Sequence, residues 1–434
     1  MREIRFFDPL YGRIEFSGRE AELIFAPEIQ RLRYVRMCNI NSMLISGASE
    51  ISRFEHIIGV LHLARIWSDT NGLTGSDGEA FHAAALLHDV QTGPFGHSME
   101  YVLADNRIAN EKGEFRHDDV LNGSRTLYLQ RAEAAASFMG YRFSAQETLG
   151  PLWAKVADII AGKGSLGPLI AGRVDLDNID NVVRLAYHVG VADRADARVA
   201  EGLARDLRIQ DSVVSISRAG ADLLSRWQEI RRDLYRLLLH DWAEFSAKAM
   251  LSVMMEQAVN HNILGAESWL LTDDQLMARL TTVTIGETQE VAELGKRLIA
   301  GQLYVPLGLW FTRDVDCYAA LSQADEKREI ERDLARITGT RVIFHVIRDK
   351  GKTERALYLQ LRDDGKLHTF GVDTDEVLIG VFLSREIPPL TMRRGEERLR
   401  QLLALRGARV LNPLQDPVLL APQGNRPDAQ LELL

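Results

Sequence analysis

The chain has 434 residues, 46% hydrophobic and 26% charged, with a formal net charge of −9. That is an ordinary globular composition, with room for two or three domains or one large helical domain with an appendage. The acidic balance is opposite to that of a protein that coats nucleic acid, so any phosphate must be met by a local positive site, and two distant cysteines, Cys38 and Cys317, exclude a disulfide framework and a thiolate zinc site.

Residues 1–25 alternate apolar and polar around Pro9-Leu10-Tyr11-Gly12, which predicts a β-hairpin. The opening MREIRFFDPL lacks the apolar core of a signal peptide, and no apolar run approaches the ~18 residues of a membrane span. A cytoplasmic protein with no membrane partner is the expectation. From Pro27 the pattern is helical, with Ile29, Leu32 and Val35 in register and Arg31, Arg33 and Arg36 between them. After the turn-rich patch Ser46 to Ser52, a helix is predicted from Arg53 to about Trp67. Its apolar stripe is Ile57, Val60, Leu61 and Ala64, and His56 lies in its first turn. A loop, Gly72 to Gly78, leads to a third helix from Glu79 to His88.

Residues 98–250 read as mostly helical. They include a helix over Val174–His188 with Asp175, Asp177 and Asp180 near its start, and a long tract from Leu223 to about Asn260 with a break near His240-Asp241. Residues 273–300 predict two short helices. After about Leu303 the runs 340–347, 355–362, 367–372 and 377–384 read as strands, with turns at Lys350-Gly351 and Asp364-Gly365. Pro388-Pro389 ends this lobe, Arg394–Leu405 predicts an amphipathic helix, and the final ~20 residues a loose tail. The expected fold is therefore mainly α: a hairpin region over 1–25, a helical domain over 26–302, a small α/β lobe over 303–390, and a helix with tail over 391–434.

The chemistry concentrates in Ala83 to His97, AAALLHDVQTGPFGH. An apolar run leads directly into His88-Asp89, and an imidazole and a carboxylate at the end of a buried helix are costly to bury unpaired. A metal ion stabilises both at once. With His56 and Asp177, each on its own helix, they make a mixed nitrogen–oxygen donor set of the kind a helical bundle can assemble. Such a set suits Mn, Fe, Co, Ni or Zn and tolerates Mg, and on an octahedral ion it leaves positions for a substrate oxygen and a water. Taken singly, each residue has a plainer explanation, such as a solvated helix end or a carboxylate at a helix start. Asp175 and Asp180 read as caps or flanks of the Asp177 helix, with Asp180 also placed to support a ligand. His62 and His82 read as core or surface histidines. Any one of Arg231, Arg232 and Arg236 could meet phosphate, but a solvated charged face is the simpler reading. No Walker-type loop or GxGxxG motif is present, so kinase and Rossmann readings have no basis.

Several of these motifs together resemble the HD superfamily of metal-dependent phosphohydrolases, and within it the deoxynucleoside triphosphate triphosphohydrolases. The likeness starts at Asp8-Pro9-Leu10-Tyr11-Gly12-Arg13-Ile14 and continues through Gln30-Arg31-Leu32-Arg33. It is strongest at Arg53-Phe54-Glu55-His56 with Ile58-Gly59-Val60, and at Leu86-Leu87-His88-Asp89 with Gly93-Pro94-Phe95 and His97. Val174-Asp175-Leu176-Asp177 is similar to the segment that supplies the fourth ligand.

The resemblance implies that His56, His88, Asp89 and Asp177 hold a divalent metal and that Arg53 reaches a substrate phosphate. It implies that His117 is the catalytic proton donor and that Glu100 orients it, a pairing that suits an imidazole with a pKa of ~6.5. It also implies a homo-oligomer, with the α/β lobe contributing contacts and regulation. The surroundings depart from the family. Thr92 replaces a phosphate-contacting histidine, and Met37-Cys38 stand where a Gln-Leu pair reads the base. Asn178 and Asn181 replace a phosphate-binding lysine and a sugar-facing tyrosine, and Leu185 an aspartate. Thr92, His97, Asn178 and Asn181 are the expected substrate-side positions beside Arg53. The implied activity is hydrolysis of a nucleotide, a dNTP to deoxynucleoside and triphosphate. The alternatives are a phosphatase or phosphodiesterase acting on a monophosphate, cyclic or oligonucleotide substrate, and a non-enzymatic nucleotide-sensing or assembly protein.

Overall fold

The computed structural model describes residues 3–38, 44–47, 51–90, 92–96, 98–99, 144–210, 213–264, 268, 271–282, 289–349 and 351–415. The expected site residues His97, Glu100 and His117 lie outside the described residues, as does the expected tail from residue 416.

The chain opens with the predicted hairpin. β1 (Glu3–Asp8) and β2 (Gly12–Ser17) pair antiparallel, with Asp8 opposite Gly12. Gly12 takes φ +83°, a left-handed conformation that only glycine adopts freely. Asp8 closes the turn by accepting the backbone N–H groups of Leu10 and Tyr11. Two short helices follow, α1 (Gly18–Ile24) and α2 (Pro27–Arg31).

α3 (Arg53–Asn71) is the central helix. The Ser52 hydroxyl caps it by accepting from the Glu55 N–H, and Gly72 ends it at φ +67°. Its buried residues cover most of its circumference, from Phe54 and Ile57 through Leu61 to Trp67, as befits a helix enclosed by others. α4 (Gly75–Leu87) packs along it and starts four residues earlier than its apolar run suggests. A first turn projecting into solvent needs no apolar stripe, so hydrophobic periodicity misses it. α5 (Ala145–Leu149) and α6 (Trp153–Ile160) lie against the α1–α4 side. α7 (Leu176–His188) and α8 (Ala197–Asp206) pack on α3 from another side. β3 (Arg208–Gln210) and β4 (Val213–Ile216) form a short hairpin that the sequence reading does not anticipate.

α9 (Arg218–His240) and α10 (Trp242–Asn260) form the long tract. Its expected break falls at Asp241, whose carboxylate caps α10 by accepting from the Glu244 N–H at 2.7 Å. α11 (Asp273–Thr281) and α12 (Gln289–Ile299) are the two expected short helices.

The C-terminal part is built on β5 (Val305–Thr312), α13 (Cys317–Leu321), α14 (Ala324–Thr338), β6 (Val342–Arg348), β7 (Leu357–Leu361), β8 (Lys366–Phe370), β9 (Val377–Leu383), α15 (Pro389–Leu405) and β10 (Asn412–Pro413). β5, β6, β9 and β10 form one antiparallel sheet in the order β10-β5-β9-β6. Its two faces carry separate apolar cores, one toward α10 and one toward α14 and α15. The Pro388-Pro389 pair, expected to end the lobe, starts α15 instead, because proline at a first helical position loses no intrahelical bond.

The second sheet, β3-β4-β7-β8, joins β4 to β7 in parallel with Ser215 opposite Gln360. This pairing buries Leu357, Leu359 and Leu361 in the core of the helical domain. The lobe is thereby fixed beside α9, and its β6–β7 turn is held over the helical bundle.

Candidate metal centre

Three helices deliver three ligands to one point. His56 sits in the first turn of α3, His88 caps the C-terminus of α4, and Asp177 lies in the first turn of α7. Nε2 of His56 is 2.9 Å from Oδ1 of Asp177 and 3.3 Å from Nε2 of His88, and Nε2 of His88 is 3.6 Å from Oδ1 of Asp177. Ligand atoms bound at ~2.1 Å to a common ion, at right or tetrahedral angles, stand ~3.0–3.4 Å apart, so a divalent cation fits this triad. Both imidazoles are buried. Each spends its Nδ1 proton away from the triad, His56 on Asp180 at 2.8 Å and His88 on the Ala85 carbonyl at 2.8 Å. That fixes the tautomer in which Nε2 faces the ion.

Asp89 stands slightly apart. Its Oδ2 is 4.0 Å from Nε2 of both histidines and takes the Arg53 guanidinium at 2.6 Å, while its Oδ1 takes the Thr92 hydroxyl at 2.9 Å. Burial alone would raise its pKa, but Arg53, His88 and His56 hold the carboxyl well below the usual range. Thr92, expected on the substrate side, thus donates its hydroxyl to this carboxylate. The following loop is unusual: Phe95 and Gly96 both take left-handed φ values, +57° and +56°. A Cβ on Gly96 would stand 2.8 Å from Nη2 of Arg53, so the glycine is needed for the close approach. The loop is tied down by Asp273, which accepts the Phe95 N–H and the Arg36 N–H, each at 2.9 Å.

Behind His56 lies a buried polar cluster. Asp180 accepts from His56, from Nε and Nη2 of Arg184 at 2.9 and 3.0 Å, and from the Tyr11 hydroxyl at 2.7 Å. Arg184 is fully buried and reaches on to Asp8 at 2.9 Å and Glu55 at 2.6 Å. Glu55 in turn pairs with His188 at 2.8 Å. Burial works against a charged His56, yet Asp177 and Asp180 raise its pKa to about 9. Asp180 is lowered despite burial, chiefly by Arg184. The Asp8–Gly12 motif thus acquires a physical role: its aspartate and tyrosine complete the cluster that orients a ligand. Gly59 is part of it too, since a Cβ there would meet Arg184 and Asp180 at 2.2 Å each.

The triad opens into a cavity of about 580 Å³. Arg53, Asn178 and Asn181, expected at the substrate, line it, together with Met37, Cys38 and Leu185. The Asn178 amide is held by Asp175 at 2.9 Å. Oδ1 of Asn181 is buried with no hydrogen-bond partner among the described residues. The solvated face expected around Arg231 is corrected in part. Arg231 is 3% exposed, lies over the Tyr235 ring and lines the cavity. Its Nε and Nη1 have no partner among the described residues. Arg232 and Arg236 do form ordinary half-exposed ion pairs with Asp233 and Glu354. His62 pairs with Glu201, and His82 with Glu20 and Ser68, away from the triad.

Comparison with known proteins agrees with this geometry. The chain is 25% identical over 402 residues to the uncharacterized protein YwfO of Bacillus subtilis, covering 91% of this chain and 83% of that one. It is 26% identical over 234 residues to the deoxynucleoside triphosphate triphosphohydrolase SAMHD1 of Homo sapiens, covering 46% of this chain and only 37% of the human protein. A crystal structure of a hypothetical protein from Aquifex aeolicus superposes with a TM-score of 0.61 at 19% identity, covering 93% of this chain and all of that one, which establishes the shared fold. Among the described residues no helix is long and apolar enough to cross a membrane. The HD domain matches residues 53–127, from the helix that carries His56 through the His88-Asp89 pair, so this stretch of the chain carries an HD domain.

Proposed function

We propose that the protein is a metal-dependent phosphohydrolase of nucleotides that splits a deoxynucleoside triphosphate into deoxynucleoside and triphosphate. The observation that carries this reading is the convergence of His56, His88 and Asp177 at the floor of a cavity whose walls hold the buried cations Arg53 and Arg231. The name of the human relative supports the triphosphate substrate.

When bound, a divalent ion supplies Lewis acidity at phosphorus and lowers the pKa of a water. His56, His88 and Asp177 would hold it, with Asp89 beside them as the fourth donor of the set. Arg53, with its Nε buried and unpartnered among the described residues, then meets a phosphate oxygen. The Asn181 carbonyl oxygen accepts from a hydroxyl or amine of the nucleoside. Water adds to the phosphorus next to the sugar, the bond from that phosphorus to the 5′ oxygen breaks, and His117 gives its proton to the departing oxygen. The family resemblance gives Glu100 the part of orienting this proton donor. The test is incubation of the purified protein with Mn or Mg and a panel of deoxynucleotides, with products read by mass spectrometry. Nucleoside release that is abolished by His88→Ala and Asp177→Ala supports the reading; a panel with no product contradicts it.

A second reading keeps the metal and changes the substrate to a nucleoside monophosphate, a cyclic nucleotide or an oligonucleotide. The apolar Leu185 and the neutral Asn178 in the cavity wall favour it. The same panel separates the two readings by their products.

A further inference from the structure

The described residues between β6 and β7, Asp349 and 351–356, belong to the α/β lobe, yet Lys352 and Arg355 among them face the metal cavity. Lys352 and Arg355 stand in the cavity wall with Arg231 and Lys248. Hydrogen bonds tie the turn at both ends. Asp349 is 2% exposed and receives the Thr353 N–H on its carboxylate at 3.1 Å, and its own N–H donates to the Glu376 carbonyl at 2.9 Å. Gly351 takes φ +72°, and its carbonyl lies 3.5 Å from Nη2 of Arg231. From α9, the Gln228 amide donates to the carbonyls of Arg355 and Phe370, each at 3.1 Å.

This architecture brings two guanidinium groups into one cavity with no ion pair to either among the described residues. Among the described residues the Arg355 guanidinium is in no ion pair or hydrogen bond, and Arg231 is buried with two unpartnered nitrogens. Burial lowers the Arg231 pKa from its usual value, and the nearby Arg355 charge pushes the same way. Arginine remains charged in proteins, so the pair is a repulsive arrangement that an anion would relieve. A planar fork of donors on each side suits phosphate oxygens.

We propose that the lobe turn reads the length of a phosphate chain: Arg355 and Lys352, with Arg231, hold the distal phosphates of a nucleoside polyphosphate whose ester phosphate sits at the His56–His88–Asp177 triad. This rests on the phosphohydrolase reading and adds the substrate feature that the lobe selects. It gives the α/β lobe a direct part in binding through two cations of its own.

The test is calorimetric titration of the metal-free full chain with inorganic tripolyphosphate and with orthophosphate. In Arg355→Ala and in the Lys352→Ala/Arg355→Ala double variant, the ratio of tripolyphosphate to orthophosphate affinity falls about tenfold or more, the size of a lost charge-assisted contact. Arg355→Lys restores part of it. The ratio of kcat/KM for a deoxynucleoside triphosphate over its monophosphate falls in parallel, through KM. Thermal melting confirms that each variant is folded. An unchanged ratio in folded variants overturns the proposal. Wild-type protein that hydrolyses no ester but keeps the tripolyphosphate response sinks the phosphohydrolase reading and leaves this binding site standing. Hydrolysis with an unmoved ratio does the reverse.

Discussion

The carboxylate of Asp180 receives the Nδ1 proton of His56 at 2.8 Å and, from its other side, the guanidinium of Arg184. One fully buried acid therefore sets the orientation of a metal ligand and neutralises a fully buried base. Asp180→Ala should lower divalent-metal affinity roughly 10–100-fold, because the imidazole loses its anchor. It should also destabilise the fold by about 3–5 kcal/mol, because Arg184 keeps only Asp8 and Glu55. Asp180→Asn keeps an acceptor for His56 and loses the charge, so it should lie between wild type and Ala. Metal titration with denaturant unfolding checks both effects, and wild-type metal affinity in the Ala variant would refute the anchoring role.

Gly59 provides a test with an inverted sign. Gly to Ala within a helix ordinarily stabilises by about 0.5–1 kcal/mol. Here the added methyl would meet Arg184 and Asp180 at 2.2 Å, so Gly59→Ala should destabilise by about 1–3 kcal/mol and weaken metal binding. Equilibrium unfolding in urea reads the sign directly.

Arg231 should trade stability against binding. It is a buried cation with two nitrogens unpartnered among the described residues, and replacing such a group by an apolar side chain of similar length is often neutral or stabilising. Arg231→Met is expected to be at least as stable as wild type while KM for a nucleoside triphosphate rises about tenfold or more. Loss of stability without a change in KM would assign Arg231 a purely structural role.

The lobe carries a pH-dependent term. Burial raises the Glu331 pKa to about 7 although its carboxylate accepts the Phe344 N–H at 2.9 Å. The folded pKa is above the unfolded value near 4.5, so the stabilising contribution is fully present below pH 4.5 and is lost as pH rises through about 7. Glu331→Gln keeps the acceptor and removes the titration. Its stability relative to wild type should rise by roughly 1–3 kcal/mol between pH 5 and pH 8. Urea midpoints at those two pH values check this, and a pH-independent difference would contradict it.

The legible and illegible parts of the chain differ for physical reasons. His56, the His88-Asp89 pair and Asp177 can be picked out only as a set, because a mixed nitrogen–oxygen group at helix ends, with its surrounding motifs, says what none of them says singly. The strands β6 to β9 are legible through alternation and turn glycines. The pairing of β4 with β7 is not, because β3 and β4 have only three and four residues and their partner lies far along the chain. Arg231 is misread for the same reason. It is covered by Trp227 and Tyr235 of its own helix and by the Gly351 turn, 120 residues away, and that turn is the part its own helix pattern does not reveal. The supporting role of Arg184 is equally remote, although its i,i+4 spacing from Asp180 is a signal that could point to it. The β5 strand and α14 escape notice because β5 mixes proline and glycine into its apolar run, while α14 buries only Ile330, Leu334 and Thr338.

The most direct test of the metal centre is anomalous diffraction from crystals of the full chain grown with Mn. The account predicts one strong peak per chain within about 2.0–2.3 Å of Nε2 of His56, Nε2 of His88 and Oδ1 of Asp177, absent in His88→Ala. A wild-type crystal with no peak at that point, or with manganese bound only elsewhere, would contradict it.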